Sequence, residues 1–100
     1  MTLQTGNRKL AALRKLSTLS QRAQCLGDTM GYVNMKLYLA GARNILTVLG
    51  PEYDEAVALA VVRGLSRRSL RETVTARMLD KKWTLEKISN ILMASVRGEV

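Results

Sequence analysis

Histidine and phenylalanine are missing from this 100-residue chain, and cysteine and proline occur once each. Each absence removes a class of chemistry. Without histidine, and with Cys25 alone, no ligand set resembles a zinc site and no Ser/His or Cys/His pair can activate a nucleophile. No glycine-rich loop matches a phosphate cradle. The expectation is a protein that is not an enzyme, holds no metal or cofactor and takes no small-molecule ligand. A lone cysteine closes no intrachain disulfide, the habit of reducing compartments, so a cytoplasmic setting is expected. Cys25 itself, near a helix end among apolar neighbours, reads as a small buried filler. No run approaches the ~18 apolar residues of a membrane span, and none resembles a secretory signal.

What remains is aliphatic and basic. Apolar residues make up 47% of the chain, yet only three Tyr and one Trp are aromatic, so the core must be built of Leu, Val, Ile, Ala and Met. That mixture suits helices. One hundred residues fit a single domain, 1–100, with one modest core. The net charge of +8 points to a polyanionic partner, nucleic acid ahead of an anionic membrane surface. The excess lies in two blocks: residues 1–27 carry +5, residues 28–62 carry −2, residues 63–82 carry +5 and residues 83–100 are neutral.

Taken in order, residues 7–49 read as two helices. In the first, Ala12, Leu16, Leu19, Ala23 and Leu26 fall 4, 3, 4 and 3 residues apart, one helical face, with Leu10 and Leu13 widening it and Gly27 stopping it. Arg8, Lys15 and Arg22 draw a second line every seven residues, either a solvated face or a contact for phosphates or an acidic partner. Asp28 or Thr29 can cap the second helix, which runs to Leu49 on Gly31, Met35, Tyr38, Ala42, Ile45 and Leu49, flanked by Met30, Val33, Leu37 and Leu46. With Lys36 and Arg43 as its charges, it is either central to the core or shared with a second subunit. Tyr32 and Tyr38 are expected at the edge of the core. At the other end, Thr84 caps a helix over 84–97 bearing Leu85, Ile88, Ile91, Leu92 and Val96, and Trp83 with Ile88 has the spacing of a hydrophobic staple.

Between them, 50–80 reads as helix, tight turn, helix. Gly50-Pro51 breaks the preceding helix, and Pro51 suits a first helical position because its missing N–H has no partner there. Glu52, Asp54 and Glu55 load the first turn with the charge that the helix dipole favours. Gly64 stands where a helix closes on a left-handed residue. Ser66 can cap the next helix, and Ser69 with Glu72 offers a capping box one turn later.

Residues 56–75 resemble the DNA-binding helix-turn-helix family. Leu59-Ala60 supply its aliphatic and small residues in the first helix, Gly64-Leu65-Ser66 its turn, and Leu70 the aliphatic lock of the second helix. Arg63 and Thr73 depart from it, each standing where an apolar residue is usual. The resemblance implies an all-α bundle of about five helices containing this motif, and a small bacterial, plasmid or phage transcriptional regulator, a repressor rather than an activator. It implies that helix 66–79 reads double-stranded DNA in the major groove, with Arg67, Arg68 and Arg71 meeting guanine edges. Ser66, Thr75, Lys81 and Lys82 would hold backbone phosphates. One such helix reads few base pairs, so a homodimer is expected, seamed by 28–49, with 84–97 either joining the seam or touching DNA. A rival register resembles the LuxR-type four-helix domain, in which the helix opening at Thr84 would be the reader. Two other classes are a basic helical adaptor for an acidic protein and an RNA-binding helical protein.

Overall fold

A computed structural model describes residues 3–19, 21 and 31–97, and among them every regular element is helical. Helix α1 is Leu3–Ser17, α2 Tyr32–Leu49, α3 Asp54–Gly64, α4 Arg68–Met78 and α5 Leu85–Arg97, with one 3-10 turn, Pro51–Tyr53, leading into α3. The fold is the expected all-α bundle. None of its described helices is long and apolar enough to cross a membrane.

Helix α2 is the hub. It packs against α1, α3 and α5 and against the 3-10 turn. The predicted stripe is its buried face: Met35, Tyr38, Ala42, Ile45 and Leu49, joined by Leu39. Gly31 is instead the extended, exposed residue that precedes the helix, and Asp28 and Thr29 lie outside the described residues. Val33 and Leu37, expected to flank the stripe, are 67% and 63% exposed, so α2 keeps one apolar face uncovered. Tyr38 is not an edge residue: it is buried, and its hydroxyl donates to the carbonyl of Val61 at 2.9 Å. Burial pushes that phenol well above its ordinary range, which keeps it protonated and a donor.

Helix α1 starts earlier and ends sooner than its spacing suggests. Nothing before Asn7 stops a helix except Gly6, which costs about 1 kcal/mol. At the other end, Ser17 Oγ donates to Arg14 O at 2.7 Å, and Thr18 Oγ1 reaches the carbonyls of Arg14 and Lys15 at 3.2 and 3.3 Å. Hydroxyls bound in this way compete with the helical ladder. Ala12 and Leu19 are buried and Leu16 partly so, whereas Leu10 and Leu13 are exposed, which makes the stripe narrower than expected. Arg22, Ala23, Cys25, Leu26, Gly27 and Met30 lie outside the described residues.

The glycine that needs its freedom is Gly50. Its φ of 105° and ψ of 163° belong to a region open essentially to glycine, and a Cβ there would meet the Glu52 carboxylate at 2.8 Å. Gly64, expected to be left-handed, is the last residue of α3 and has no positive φ. The turn is closed by other means: Leu65 N–H donates to Val62 O at 3.2 Å, and Tyr38 occupies Val61 O. Those carbonyls are among the four that a helix leaves without a partner at its end.

Helix α5 begins as predicted. Thr84 Oγ1 accepts from Lys87 N–H at 3.2 Å, Ile88 is buried, and Trp83 packs on the core. A second cap comes from far along the chain, because Leu85 N–H donates to Asp54 Oδ1 at 2.7 Å. The carboxylate that opens α3 therefore also sits on the first turn of α5, where the dipole of that helix favours it too. Asp54→Ala should cost about 1.5–3 kcal/mol, the worth of a hydrogen bond to a charged group. Asp54→Asn, which keeps an acceptor, should cost less. The check is the urea midpoint, which should fall with an unchanged m-value.

Candidate nucleic-acid interface

The residues that resemble a helix-turn-helix are held by an inward row. Leu70, Val74 and Met78 of α4 are buried, as are Val57, Ala58, Val61 and Val62 of α3 and Leu65 of the turn. The two departures from the family pattern are absorbed by neighbours. Val62 is buried where Arg63 is exposed, and Val74 is buried beside a half-buried Thr73. Leu59 and Ala60 are only partly buried, so the first helix packs mainly on the residues beside them.

Helix α4 opens later than Ser66. Arg67, with φ −76° and ψ 111°, is the cap position, no side chain caps the helix, and Ser69 is already inside it. The amides of Leu70 and Arg71 both turn to Arg67 O, at 3.2 and 3.3 Å. Ser66 is exposed in the turn and makes no cap. The helix therefore presents an uncapped N-terminus flanked by Arg67 and Arg68.

The three arginines differ. Arg67 and Arg68 are exposed. Arg68 Nε lies 2.8 Å from Glu72 Oε1, an i,i+4 pair whose side chains are 84% and 64% exposed. Such a pair is worth about 0.3–0.5 kcal/mol and yields readily to a better anion. Arg71 is half-buried, not outward: its Nη1 donates to the carbonyl of Leu65 at 2.8 Å. It braces the turn. Helical spacing alone could not separate the two situations, because the partner of Arg71 is a backbone carbonyl six residues away.

Thr75 is exposed, but its hydroxyl donates to Arg71 O at 2.8 Å, so its proton is engaged within the helix. Lys81 and Lys82 are exposed in the loop after α4, where Asp80 adopts a φ of 67° and Lys81 N–H donates to Met78 O. Two exposed cations were missed as site residues: Arg63, at the end of α3, and Arg77. The basic block in 63–82 was the signal that contained them. Arg8 and Lys15 line a trough between α1 and α2 with Asn44. Among the described residues no cluster of His, Cys, Asp or Glu could hold a metal ion.

No known protein family, curated protein or solved structure matches the chain.

Arg68 and Arg71 can be separated by stability alone. Arg71→Ala strips the partner from a partly buried carbonyl and should lower the unfolding free energy by about 1–2 kcal/mol. Arg68→Ala should change it by no more than about 0.5 kcal/mol. Equal losses in chemical denaturation would mean that the Arg71 bond does not hold the turn.

Proposed function

We propose that the protein binds double-stranded DNA in a sequence-dependent way, as a small cytoplasmic transcriptional regulator, a repressor rather than an activator. One observation carries this reading. Arg67 and Arg68 stand exposed at the uncapped N-terminal end of a short helix whose opposite side, Leu70, Val74 and Met78, is anchored in the core. Residues at that end of a recognition helix are the ones that reach base edges in the major groove. A guanidinium can meet O6 and N7 of guanine bidentately.

In this reading α4 enters the groove and α3 crosses the backbone. Arg67 and Arg68 read bases. Arg71 acts through the turn that aims them, and meets a base only by releasing Leu65 O. Ser66, Lys81 and Lys82 hold phosphates, and Thr75 joins them by turning its hydroxyl outward. The missed cations Arg63 and Arg77 add to the positive field that draws DNA.

Two-fold pairing would set two such helices about 34 Å apart, one turn of the duplex. Val33 and Leu37, exposed one turn apart on α2, support a seam there. The apolar residues of α5 do not offer a second seam of that kind, since Leu85, Ile88 and Leu92 are buried within the chain.

A salt-dependent gel shift with duplex DNA and duplex RNA tests the reading. Arg67→Ala and Arg68→Ala should each cost about 1–3 kcal/mol on the preferred sequence and relax specificity. Lys81→Ala and Lys82→Ala should weaken all sequences alike, each reducing the salt slope by about 0.9. Lys87→Ala, on the exposed side of α5, should leave base preference unchanged. A changed preference there would make α5 the reader. Equal, sequence-blind losses at Arg67, Arg68, Lys81 and Lys82 would reduce the protein to a nonspecific binder, and tighter binding of RNA would move the function to that partner. Sedimentation at tens of micromolar should give a dimer, and a strict monomer with and without DNA would remove the α2 seam.

A further inference from the structure

Helices α2 and α5 pack along each other and leave a hollow of about 200 Å³. Lys36 and Arg43 from α2 and Arg97 from α5 stand around it, with Tyr32, Ser89 and Asn90 completing its polar lining. No acid is among the residues that line it. Lys36 and Arg43, facing one hollow, repel each other, a cost that a bound anion would remove. Arg97 is fixed at the rim: its Nη2 donates to the Tyr32 hydroxyl at 3.0 Å, and its guanidinium carbon lies 4.9 Å from the ring centroid. The Tyr32 phenol is held below its ordinary range, first by that hydrogen bond and then by the charges of Arg97 and Lys36. Both cations are thus within electrostatic reach of one oxygen. The side chains of Lys36 and Arg43 make no ion pair or hydrogen bond with any described residue.

Ser89 supplies an independent observation. Its Oγ is buried and has no hydrogen-bond partner. Hydroxyls inside these helices ordinarily bond back one turn: Thr47 to Arg43 O, Thr73 to Ser69 O, Thr75 to Arg71 O and Ser95 to Ile91 O. Ser89 leaves that bond unmade while lining the hollow, and a buried polar atom without a partner calls for an explanation.

We infer that the hollow between α2 and α5 is a binding site for a phosphoryl group. Lys36, Arg43 and Arg97 neutralise its charge, and Ser89 Oγ and the Asn90 carboxamide donate to its oxygens. A phosphate ester carries close to two negative charges at neutral pH and three strong acceptor oxygens, which matches three cations and two neutral donors. A carboxylate, with one charge and two oxygens, would leave part of that set unused. The volume falls below the usual ~300 Å³ of a whole-ligand pocket, so the hollow takes the phosphoryl group and leaves the rest of its bearer outside. That bearer is either a small phosphorylated molecule or the backbone of a nucleic acid. The site does not depend on α4 reading DNA.

Inorganic phosphate is the probe, compared with chloride at equal ionic strength on the full chain. At ten times its Kd it should raise the folded-to-unfolded ratio about eleven-fold, seen as a higher urea midpoint. Arg43→Ala should abolish the rise. Ser89→Ala should weaken phosphate affinity about ten- to a hundredfold, the worth of one hydrogen bond to a charged group, without lowering the stability of the phosphate-free chain. The double substitution Arg8→Ala with Lys15→Ala, which removes two cations elsewhere, should leave the rise intact. No phosphate effect on the unsubstituted chain would overturn the site, and so would an effect lost equally in the Arg8/Lys15 variant. Duplex binding then separates the bearers. If Arg43→Ala also flattens the salt slope, the phosphoryl group belongs to the nucleic-acid backbone. If it loses phosphate but keeps duplex binding, the bearer is a small molecule. A chain that binds phosphate and no duplex would keep this site and sink the reading of α4.

Discussion

The hydrogen bond from the Tyr38 hydroxyl to Val61 O ties the central helix to the place where the chain turns, and the C-terminal half is arranged around it. A helix end inside a core leaves carbonyls that water cannot reach, and an unpartnered one costs about 1–3 kcal/mol. Here the end of α3 is closed from three directions. Tyr38 meets Val61 O, Leu65 N–H meets Val62 O, and Arg71 meets Leu65 O. Two of these donors belong to other helices. Where α3 stops is consequently decided by α2 and α4 together, and the direction in which α4 leaves follows from the same bonds. Asp54 does the corresponding work at the other end, since one carboxylate both opens α3 and caps α5.

This explains which parts of the fold were legible in the sequence. The 4, 3, 4, 3 spacing found the buried face of α2 because burial of a helix is a local, periodic property. Thr84, with Trp83 and Ile88, marked the start of α5 because a cap and staple lie within five residues of each other. Leu70 marked the inner side of α4 through the resemblance of 56–75 to a helix-turn-helix. What escaped were contacts across sequence: Tyr38 to Val61, Leu85 to Asp54 and Arg71 to Leu65. With those side chains closing the turn, Gly64 has no need of a left-handed conformation, and among the described residues the glycine that adopts a positive φ is Gly50, before the proline.

The candidate site was legible as charge and not as geometry. The block from Arg63 to Lys82 is plainly basic, but the sequence assigns three arginines to one face. In the fold they divide into one that braces the turn, one in an exposed ion pair and one at the cap position. An arginine half-buried against a carbonyl contributes rigidity to the surface beside it. For a groove reader that is no loss, because a base contact fails when its side chain is aimed loosely. In the proposed reading, Arg71 and Leu70 would supply that aim to Arg67 and Arg68, which stand one turn nearer the N-terminus.

Glu72 pairs with Arg68, but the other acids of the described helices lie at helix starts and not beside cations on the faces. Asp54, Glu55 and Glu86 lie in the first turns of α3 and α5, where they answer helix dipoles, and Glu52 sits in the 3-10 turn. Helices α1 and α2 contain no acid at all, although Arg8, Lys9, Arg14, Lys15, Lys36 and Arg43 all belong to them. Acids engaged at helix ends cannot also neutralise cations on the faces. The resulting self-repulsion lowers stability, and it is relieved when a polyanion neutralises the faces and releases its counterions. A basic protein that used its acids to pair its cations would be better balanced alone and a poorer partner for phosphate. The distribution seen here has the opposite consequence: the same carboxylates that complete the fold leave its α2, α4 and α5 surfaces positive.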